Sequence, residues 1–191
     1  MRSVTVVAIS ACALFTVAGP LTAQQPQVSK RTSYTFGVSK GSGALTCTFC
    51  SGEGKGGIAG MFGIETPLRR TMRMGIEADW WMHSGDGSSR SVLAAIPVIH
   101  FYKSPNSPLF FKVGLGLGRY SASSETEELR TTALSGVVGA GYEFRLSNRN
   151  VLIPYVSWVS GAGGDMRLNG ALVTPQGGLS LVQYGLAFSK R

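Results

Sequence analysis

The segment that decides the fold is Leu109-Phe110-Phe111-Lys112-Val113-Gly114-Leu115-Gly116-Leu117-Gly118. Every second position, starting at Leu109, holds a large apolar residue, and the positions between them hold a phenylalanine, a lysine and three glycines. Successive side chains of a β-strand point to opposite faces, so strict two-residue alternation is typical of a strand with two unlike faces. The segment therefore predicts a strand with one large apolar face and one face of small residues.

The same alternation recurs along the chain and predicts eight strands. In the third run, for example, Met74 and Ile76 alternate with Arg73, Gly75 and Glu77. The eight runs cover residues 32–42, 56–66, 70–82, 91–103, 109–121, 131–145, 150–160 and 179–189. The runs at 91–103 and 150–160 are apolar at both sets of alternate positions, so the sequence leaves their faces unassigned.

The connections between these runs are expected to alternate in length. Short turns are predicted at 67–69, 104–108 and 146–149, and longer connections rich in Gly, Ser and acidic residues at 43–55, 83–90, 122–130 and 161–178. Alternating short and long connections are typical of an antiparallel up-and-down barrel with two unlike ends.

The composition indicates which way the apolar face points. The chain is 43% hydrophobic and 15% charged, with 26 glycines in 191 residues, whereas an average soluble domain is about 25% charged and about 7% glycine. An inward apolar face would leave a surface of Gly and Ser, but soluble surfaces are rich in Lys and Glu. An eight-stranded barrel has a lumen only just wide enough for side chains, which suits inward glycines. We therefore predict an all-β fold, an eight-stranded antiparallel up-and-down transmembrane β-barrel, with its apolar face toward lipid.

Charged residues on the small-residue face are then expected inside the lumen. A buried charge without a partner is strongly destabilising, so these residues should pair with one another across strands. The predicted lumen charge network is Arg73, Glu77, Asp79, Lys112, Glu143 and Arg145.

Aromatic residues lie near both ends of the predicted strands, where Trp and Tyr settle at membrane–water interfaces. The belt beside the long connections is predicted to contain Trp80, Tyr120 and Trp158. The belt beside the short turns is predicted to contain Phe101, Phe111, Tyr142, Phe144 and Phe188.

The N-terminus has the pattern of an export signal. Residues 1–23 comprise a short basic start, an apolar run and a small residue before the polar segment, which is the arrangement of a cleaved signal peptide. Residues 9–12 resemble a lipoprotein signal ending at Cys12, but the apolar run continues past Cys12, which favours an ordinary signal peptide over lipidation. The predicted organisation is signal peptide 1–23, polar leader 24–31 and barrel 32–191. Removal of Arg2 leaves 17 Lys+Arg against 10 Asp+Glu, a charge of 17 − 10 = +7.

Two cysteines remain in the mature chain, Cys47 and Cys50. Because disulfides form in exported proteins, we predict that this pair closes a local loop by a disulfide. Redox chemistry by such a pair would need a following helix, and a metal site would need further ligands. We expect no metal and no cofactor.

Catalytic motifs are weak. The glycine-rich segment 52–57 formally fits a dinucleotide pattern, but a strand rather than a helix is predicted to follow it. His83 lies beside Ser84 and Asp86, yet a flexible loop does not hold three groups in catalytic geometry. His100 lies near the other end of its strand. We expect no catalytic residues, and two alternatives stay open: a barrel enzyme that modifies lipid A, and a soluble lipocalin-like binder.

With its signal peptide, eight alternating runs and unlike ends, the chain resembles the small bacterial outer-membrane β-barrel proteins, the group of the OmpA transmembrane domain and OmpX. The resemblance spans about residues 32–191 and implies residence in the outer membrane, contact with outer-membrane lipid and lipopolysaccharide, and insertion by the barrel assembly machinery. Such chains usually end on an aromatic residue, whereas here Phe188 is followed by Ser189, Lys190 and Arg191. The basic residues form no patch with stacking aromatics, so nucleic-acid binding is not expected. The expected function is non-enzymatic: an envelope-structural or loop-mediated binding role by a monomer, with at most minor, porin-like passage of small solutes.

Overall fold

A computed structural model of the chain describes residues 31–47, 54–85 and 87–191, with only the backbone at Pro175. All of the regular structure in this part of the chain is β-strand. The strands are β1 Ser33–Thr46, β2 Lys55–Arg69, β3 Met72–Gly85, β4 Ser88–Tyr102, β5 Leu109–Ser123, β6 Glu128–Tyr142, β7 Phe144–Arg145, β8 Asn150–Leu168 and β9 Ala171–Lys190. None of the described residues belongs to a helix long and apolar enough to cross a membrane.

Each strand pairs antiparallel with its neighbours, and the sheet closes on itself. The first strand pairs with the last, from Tyr34 opposite Lys190 to Thr46 opposite Gly178. The short β7 pairs with the same neighbour as β6 and is separated from β6 only by Glu143, so the two form one barrel strand. The prediction of an eight-stranded antiparallel up-and-down barrel is confirmed.

The prediction of long connections was wrong for three of the four segments. Residues 86–87, 124–127 and 169–170 alone separate the paired strands at that end, because the strands continue into the segments predicted as loops. In the segment 161–178, β8 and β9 continue to pair as far as Leu168 opposite Ala171. At the fourth connection, β1 extends to Thr46 and β2 begins at Lys55, and residues 48–53 lie outside the described part. We call this end the loop end, and the end with residues 70–71, 103–108 and 146–149 the turn end.

Burial alternates along every long strand, and the large apolar residues are on the outside. Leu115 and Leu117 are 71% and 60% exposed. Gly118 lies inside, where a Cβ atom would be 2.9 Å from Leu179. The predicted direction of the β5 faces is therefore confirmed.

The two strands with unassigned faces follow the same rule. On β4, Val92, Ala94, Ile96 and Val98 point inward, and Leu93 is exposed. On β8, the inward side chains are Val151, Ile153, Tyr155, Ser157 and Val159. Most inward residues of these two strands are apolar, as are most of their outward residues. Burial therefore alternates along β4 and β8 although polarity does not.

The lumen is filled in layers. Toward the loop end an apolar plug surrounds Trp81, which is completely buried and donates its indole N–H to the carbonyl oxygen of Gly41 at 3.3 Å. The plug consists of Ala59, Trp81, Val92, Ala94, Ile96, Val98, Tyr120, Val137, Val159, Leu179 and Leu181. A second apolar cluster lies around Met61, Phe110 and Ile153. Between and beside these clusters lie buried charged side chains.

Candidate functional site

The central charged layer of the lumen is built on β3 and β5. Glu77 and Asp79 are two residues apart on β3, so both point inward. Lys112, on β5, donates a hydrogen bond from Nζ to Oε1 of Glu77, and both side chains are buried. Gln183, on β9, donates to Asp79 and accepts a hydrogen bond at 3.1 Å from the Ser39 hydroxyl. The layer thus connects β1, β3, β5 and β9 across the barrel.

A second cluster surrounds Arg73 nearer the turn end. Its Nε lies 3.3 Å from Oε2 of Glu65, and its Nη2 donates to the Ser33 hydroxyl at 2.8 Å and to the carbonyl oxygen of Arg31 at 2.9 Å. The same Glu65 oxygen lies 3.3 Å from Nδ1 of His100. The guanidinium therefore ties the start of β1 to β2 and β3.

A third cluster surrounds Glu143 at the gap between β6 and β7. Its Oε1 accepts a hydrogen bond at 2.7 Å from the Tyr102 hydroxyl and an ion-paired hydrogen bond from Nη2 of Arg191. The backbone N–H of Arg191 also donates to the carbonyl oxygen of Arg149 at 2.9 Å. This carboxylate connects the end of β9 to the wall formed by β4 and β6.

The predicted network lies partly where the sequence indicated. Arg73, Glu77, Asp79, Lys112 and Glu143 are all buried in the lumen. Arg145 is not, because Phe144 and Arg145 are both exposed at the turn end, where β7 ends. The expectation that the Arg145 side chain lies inside the lumen is therefore wrong.

Among the lumen residues missing from the predicted network are three in the first two clusters: Glu65, His100 and Gln183. All three are almost completely buried. Glu65 and Gln183 occupy the inward positions of strongly alternating runs, so the alternation could have identified them. His100 lies in the run whose faces were unassigned, and no sequence signal distinguished its direction.

A small cavity lies inside the lumen. The cavity between the Arg73 and Lys112 clusters has a volume of about 20 Å³ and is lined by Glu65, His100 and Tyr155 among others. A cavity of this size has room for about one water molecule. The apolar plug separates this cavity from the loop end.

The outer surface carries aromatic residues at the turn end, as predicted. Phe101, Phe111, Tyr142, Phe144 and Phe188 are all exposed. Phe101 is opposite Phe111 on the neighbouring strand, and the rings of Tyr142 and Phe144 lie 4.6 Å apart.

The predicted belt at the other end is incomplete. Trp158 is half exposed, and its indole N–H donates to the Ser180 hydroxyl at 3.0 Å. Trp80 is partly exposed. The assignment of Tyr120 to the belt is wrong, since it belongs to the apolar plug. Its position has the same parity as the inward Lys112, and the adjacent Arg119 takes the outward position.

The two histidines lie in different surroundings. The Nδ1 atom of His83 lies 2.7 Å from the carbonyl oxygen of Gly56 on the neighbouring strand. Asp86 lies outside the described residues. His100 stacks on Phe110 at 4.7 Å inside the lumen. The predicted signal peptide, most of the leader and Cys50 also lie outside the described part, so cleavage and the Cys47–Cys50 disulfide stay predictions.

Comparison with known proteins finds likeness in structure. No protein-family model matches the chain, and no curated protein matches its sequence. The structure resembles Neisserial surface protein A with a TM-score of 0.59 at 8% identity, over 82% of this chain and 96% of that one. It resembles Ail, the attachment invasion locus protein of Yersinia pestis, with a TM-score of 0.53 at 9% identity, over 82% of this chain and 97% of that one.

The likeness lies in the fold. Both structures are small outer-membrane barrels of eight strands, so the resemblance to this group is confirmed at the level of architecture. Identities below one residue in ten carry no residue roles from one chain to the other.

Proposed function

We propose that this protein is a non-enzymatic integral barrel of the bacterial outer membrane, which acts through its outer surface and its loop end. The observation that carries the proposal is that the outer face of the barrel wall is apolar and the inner face carries charges, which is the reverse of a soluble protein. Leucines, valines and aromatics point outward, whereas Glu77, Asp79 and Lys112 are buried in the lumen. Exposed apolar surface on this scale is unfavourable in water and favourable in a bilayer.

The dimensions of the apolar surface support the same conclusion. On β5 the outward positions from Leu109 to Leu117 are all large and apolar, a run of nine residues. A tilted transmembrane strand needs about 9 to 11 residues to cross the hydrocarbon layer. The turn end would face the periplasm and the loop end the exterior, after export by a cleaved signal peptide and insertion by the assembly machinery.

The filled lumen favours a structural or contact role over passage of solutes. Any solute would have to cross both the cluster around Arg73 and the apolar plug around Trp81. A monomeric barrel with a packed lumen can still interact through its outer surface with outer-membrane lipid and lipopolysaccharide. It can also make contacts at its loop end. The neighbour described as an attachment invasion locus protein makes a contact role reasonable for this architecture.

Cell fractionation combined with gel migration tests the proposal. The protein should sediment with outer membranes, and it should migrate differently before and after boiling, because a closed barrel resists detergent at room temperature. Recovery in the periplasm without detergent would contradict the proposal and favour the soluble lipocalin-like alternative.

The enzyme alternative is tested on the two histidines. Cells that express the parent protein, His83→Ala or His100→Ala should show the same pattern of lipid A species by mass spectrometry. A modified lipid A species that appears with the parent and disappears with either variant would establish an enzyme. His83 is the more informative position, because it is only partly buried, whereas His100 is buried in the lumen.

A further inference from the structure

Three arginines lie together on the outer surface near the loop end: Arg119 on β5, Arg130 on β6 and Arg167 on β8. Arg130 is directly opposite Arg167, and Arg119 is opposite Thr132, two residues along β6 from Arg130. The three side chains are exposed and line a cleft of about 500 Å³, which we call the arginine cleft.

The charges of the arginine cleft are poorly compensated. Like charges directly opposite each other on neighbouring strands are destabilising. Arg130 pairs with Glu128, and Arg167 lies 3.8 Å from Asp165, but all four side chains are about half exposed. Exposed ion pairs contribute little to stability. Arg119 has no ion pair within the described part of the chain. Asp165 also lines the cleft, and Glu128 pairs with Arg130, so three arginines face two carboxylates. The cleft therefore keeps a net positive charge and suits an anionic group.

A β-bulge opens the cleft. The pairing of β6 with β8 shifts between Thr132 and Leu134, because Thr132 is opposite Asp165 and Leu134 is opposite Ala162, with Gly163 and Gly164 between them. Gly163 adopts a φ of 75°, and a Cβ atom there would meet nothing within 4 Å. Bulges often occur where a strand serves a binding site.

The apolar wall begins immediately below the cleft. On β5, Leu117 is the next outward residue after Arg119, and on β6, Leu134 follows Thr132. Both leucines are more than half exposed. In a membrane, phosphorylated headgroups lie at such a boundary between basic and apolar surface.

An apolar groove lies farther from the loop end, beyond Leu117 and Leu134, and crosses the wall from β3 to β8. Gly136 is the outward residue after Leu134, and it leaves a gap bordered by Leu115, Val138 and Trp158. The groove has a volume of about 760 Å³ and reaches Pro97 on β4. Pro97 has no N–H, and there the pairing of β4 with β5 is interrupted between Ala95 and Val98.

The cleft and the groove are close enough for one molecule. From Thr132 to Gly136 the strand rises about 13 Å at roughly 3.3 Å per residue. A lipid headgroup and the first part of its acyl chain cover a similar length. A free phosphate would occupy the cleft and leave the groove unused.

We propose that the arginine cleft and the groove over Gly136 form one binding site for a phosphorylated lipid of the outer leaflet. The phosphate is bound by Arg119, Arg130 and Arg167, and one acyl chain lies in the groove. This inference rests on the proposed function, since it needs β5, β6 and β8 to face the membrane with the loop end outside.

The test measures lipid binding to the purified barrel in phosphatidylcholine nanodiscs. The probes are lipid A with its phosphates, dephosphorylated lipid A and inorganic phosphate, with bound lipid counted by native mass spectrometry. The triple variant R119Q/R130Q/R167Q should bind phosphorylated lipid A about tenfold or more weakly, because each lost charge-assisted hydrogen bond is worth roughly a tenfold step. The control R69Q/R70Q/R149Q removes three exposed arginines at the turn end and should bind like the parent.

A second pair of variants tests the groove. Gly136→Leu fills it with a side chain whose Cβ would lie 3.4 Å from Leu115, and it should weaken binding of both forms of lipid A. Ala78→Leu enlarges an outward side chain elsewhere on the wall and should leave binding unchanged. If the triple variant does not fold, the single variant Arg119→Gln takes its place. This substitution breaks no ion pair within the described part of the chain.

Several results would overturn the inference. One is that the two triple variants bind phosphorylated lipid A equally well. Another is that the parent binds lipid A equally well with and without its phosphates. A third is that the parent binds inorganic phosphate with no preference for the lipid. Each protein is first checked for outer-membrane fractionation and heat-modifiable migration. A parent that fails this check refutes the proposed function, whereas a parent that passes and shows no such preference refutes the lipid site alone.

Discussion

Lys112 and Glu77 form an ion pair at the centre of the lumen, where their side chains are 2% and 1% exposed. Lys112 also lies 5.7 Å from the centre of the Tyr155 ring, in position for a cation–π contact. Asp79 lies on the same face of β3, two residues from Glu77. One lysine therefore faces two acidic residues in an enclosed space.

Lys112→Met should destabilise the barrel more than Glu77→Gln. The lysine variant leaves Glu77 and Asp79 without their cation, whereas the glutamine variant leaves Lys112 beside Asp79. Breaking a buried pair costs about 3–5 kcal/mol, and the double variant should recover part of this loss. Urea unfolding in lipid vesicles, followed by gel migration, gives the four free energies of the cycle. Simple additivity of the two single variants would contradict a direct interaction.

Trp158 and Trp81 should report opposite sides of the wall. Trp158 is half exposed on the outer surface, and Trp81 is fully buried in the plug. In vesicles with bromine-labelled acyl chains, the variant W80F/W81F should lose much of its fluorescence, and W80F/W158F should lose little. The chain has three tryptophans, so each variant keeps a single emitter. Stronger quenching of Trp81 would mean that the wall is inverted.

The sequence predicts the direction of a strand's side chains only where odd and even positions hold clearly different residue types. On β5 the contrast between leucine and glycine is large, and it predicted the direction of each residue. On β4 both the odd and the even positions are mostly apolar, so the inward direction of the His100 side chain could not be predicted. Direction there is imposed by the neighbours, since Arg73 and His100 are directly opposite across β3 and β4.

The loop end shows a different limitation. A composition rich in Gly and Ser predicts a loop. The strands continue there nevertheless, because backbone hydrogen bonds between strands do not depend on the side chains. The two-residue signal Asn169-Gly170 was present and indicates a tight hairpin. The arginine cleft could not be predicted, because the register that places Arg130 opposite Arg167 depends on the bulge between Thr132 and Leu134.

Gly43 and Trp81 are in close contact inside the barrel, so a larger residue should not be tolerated at Gly43. A Cβ atom at position 43 would lie 2.5 Å from Cε3 of Trp81. Gly43→Ala should therefore destabilise the barrel by about 1–3 kcal/mol, as overpacking does. Gly56→Ala is the control, since no heavy atom lies within 4 Å of its added Cβ. Urea unfolding of both variants makes the comparison, and equal stabilities would show that the plug is loosely packed.

Gly170 should matter for the tip of the last hairpin and for little else. Asn169 and Gly170 have φ angles of 49° and 85° between Leu168 and Ala171, which pair directly, and two left-handed residues define a type I′ turn. Gly170→Val places a β-branched residue in this conformation and should cost about 1–2 kcal/mol. Because the tip extends beyond the lumen clusters, this loss should appear as faster hydrogen exchange between Met166 and Thr174 with global unfolding unchanged. Ala171→Val, at a position that pairs as ordinary strand, is the matched control, and equally slow exchange in both variants would refute the turn assignment.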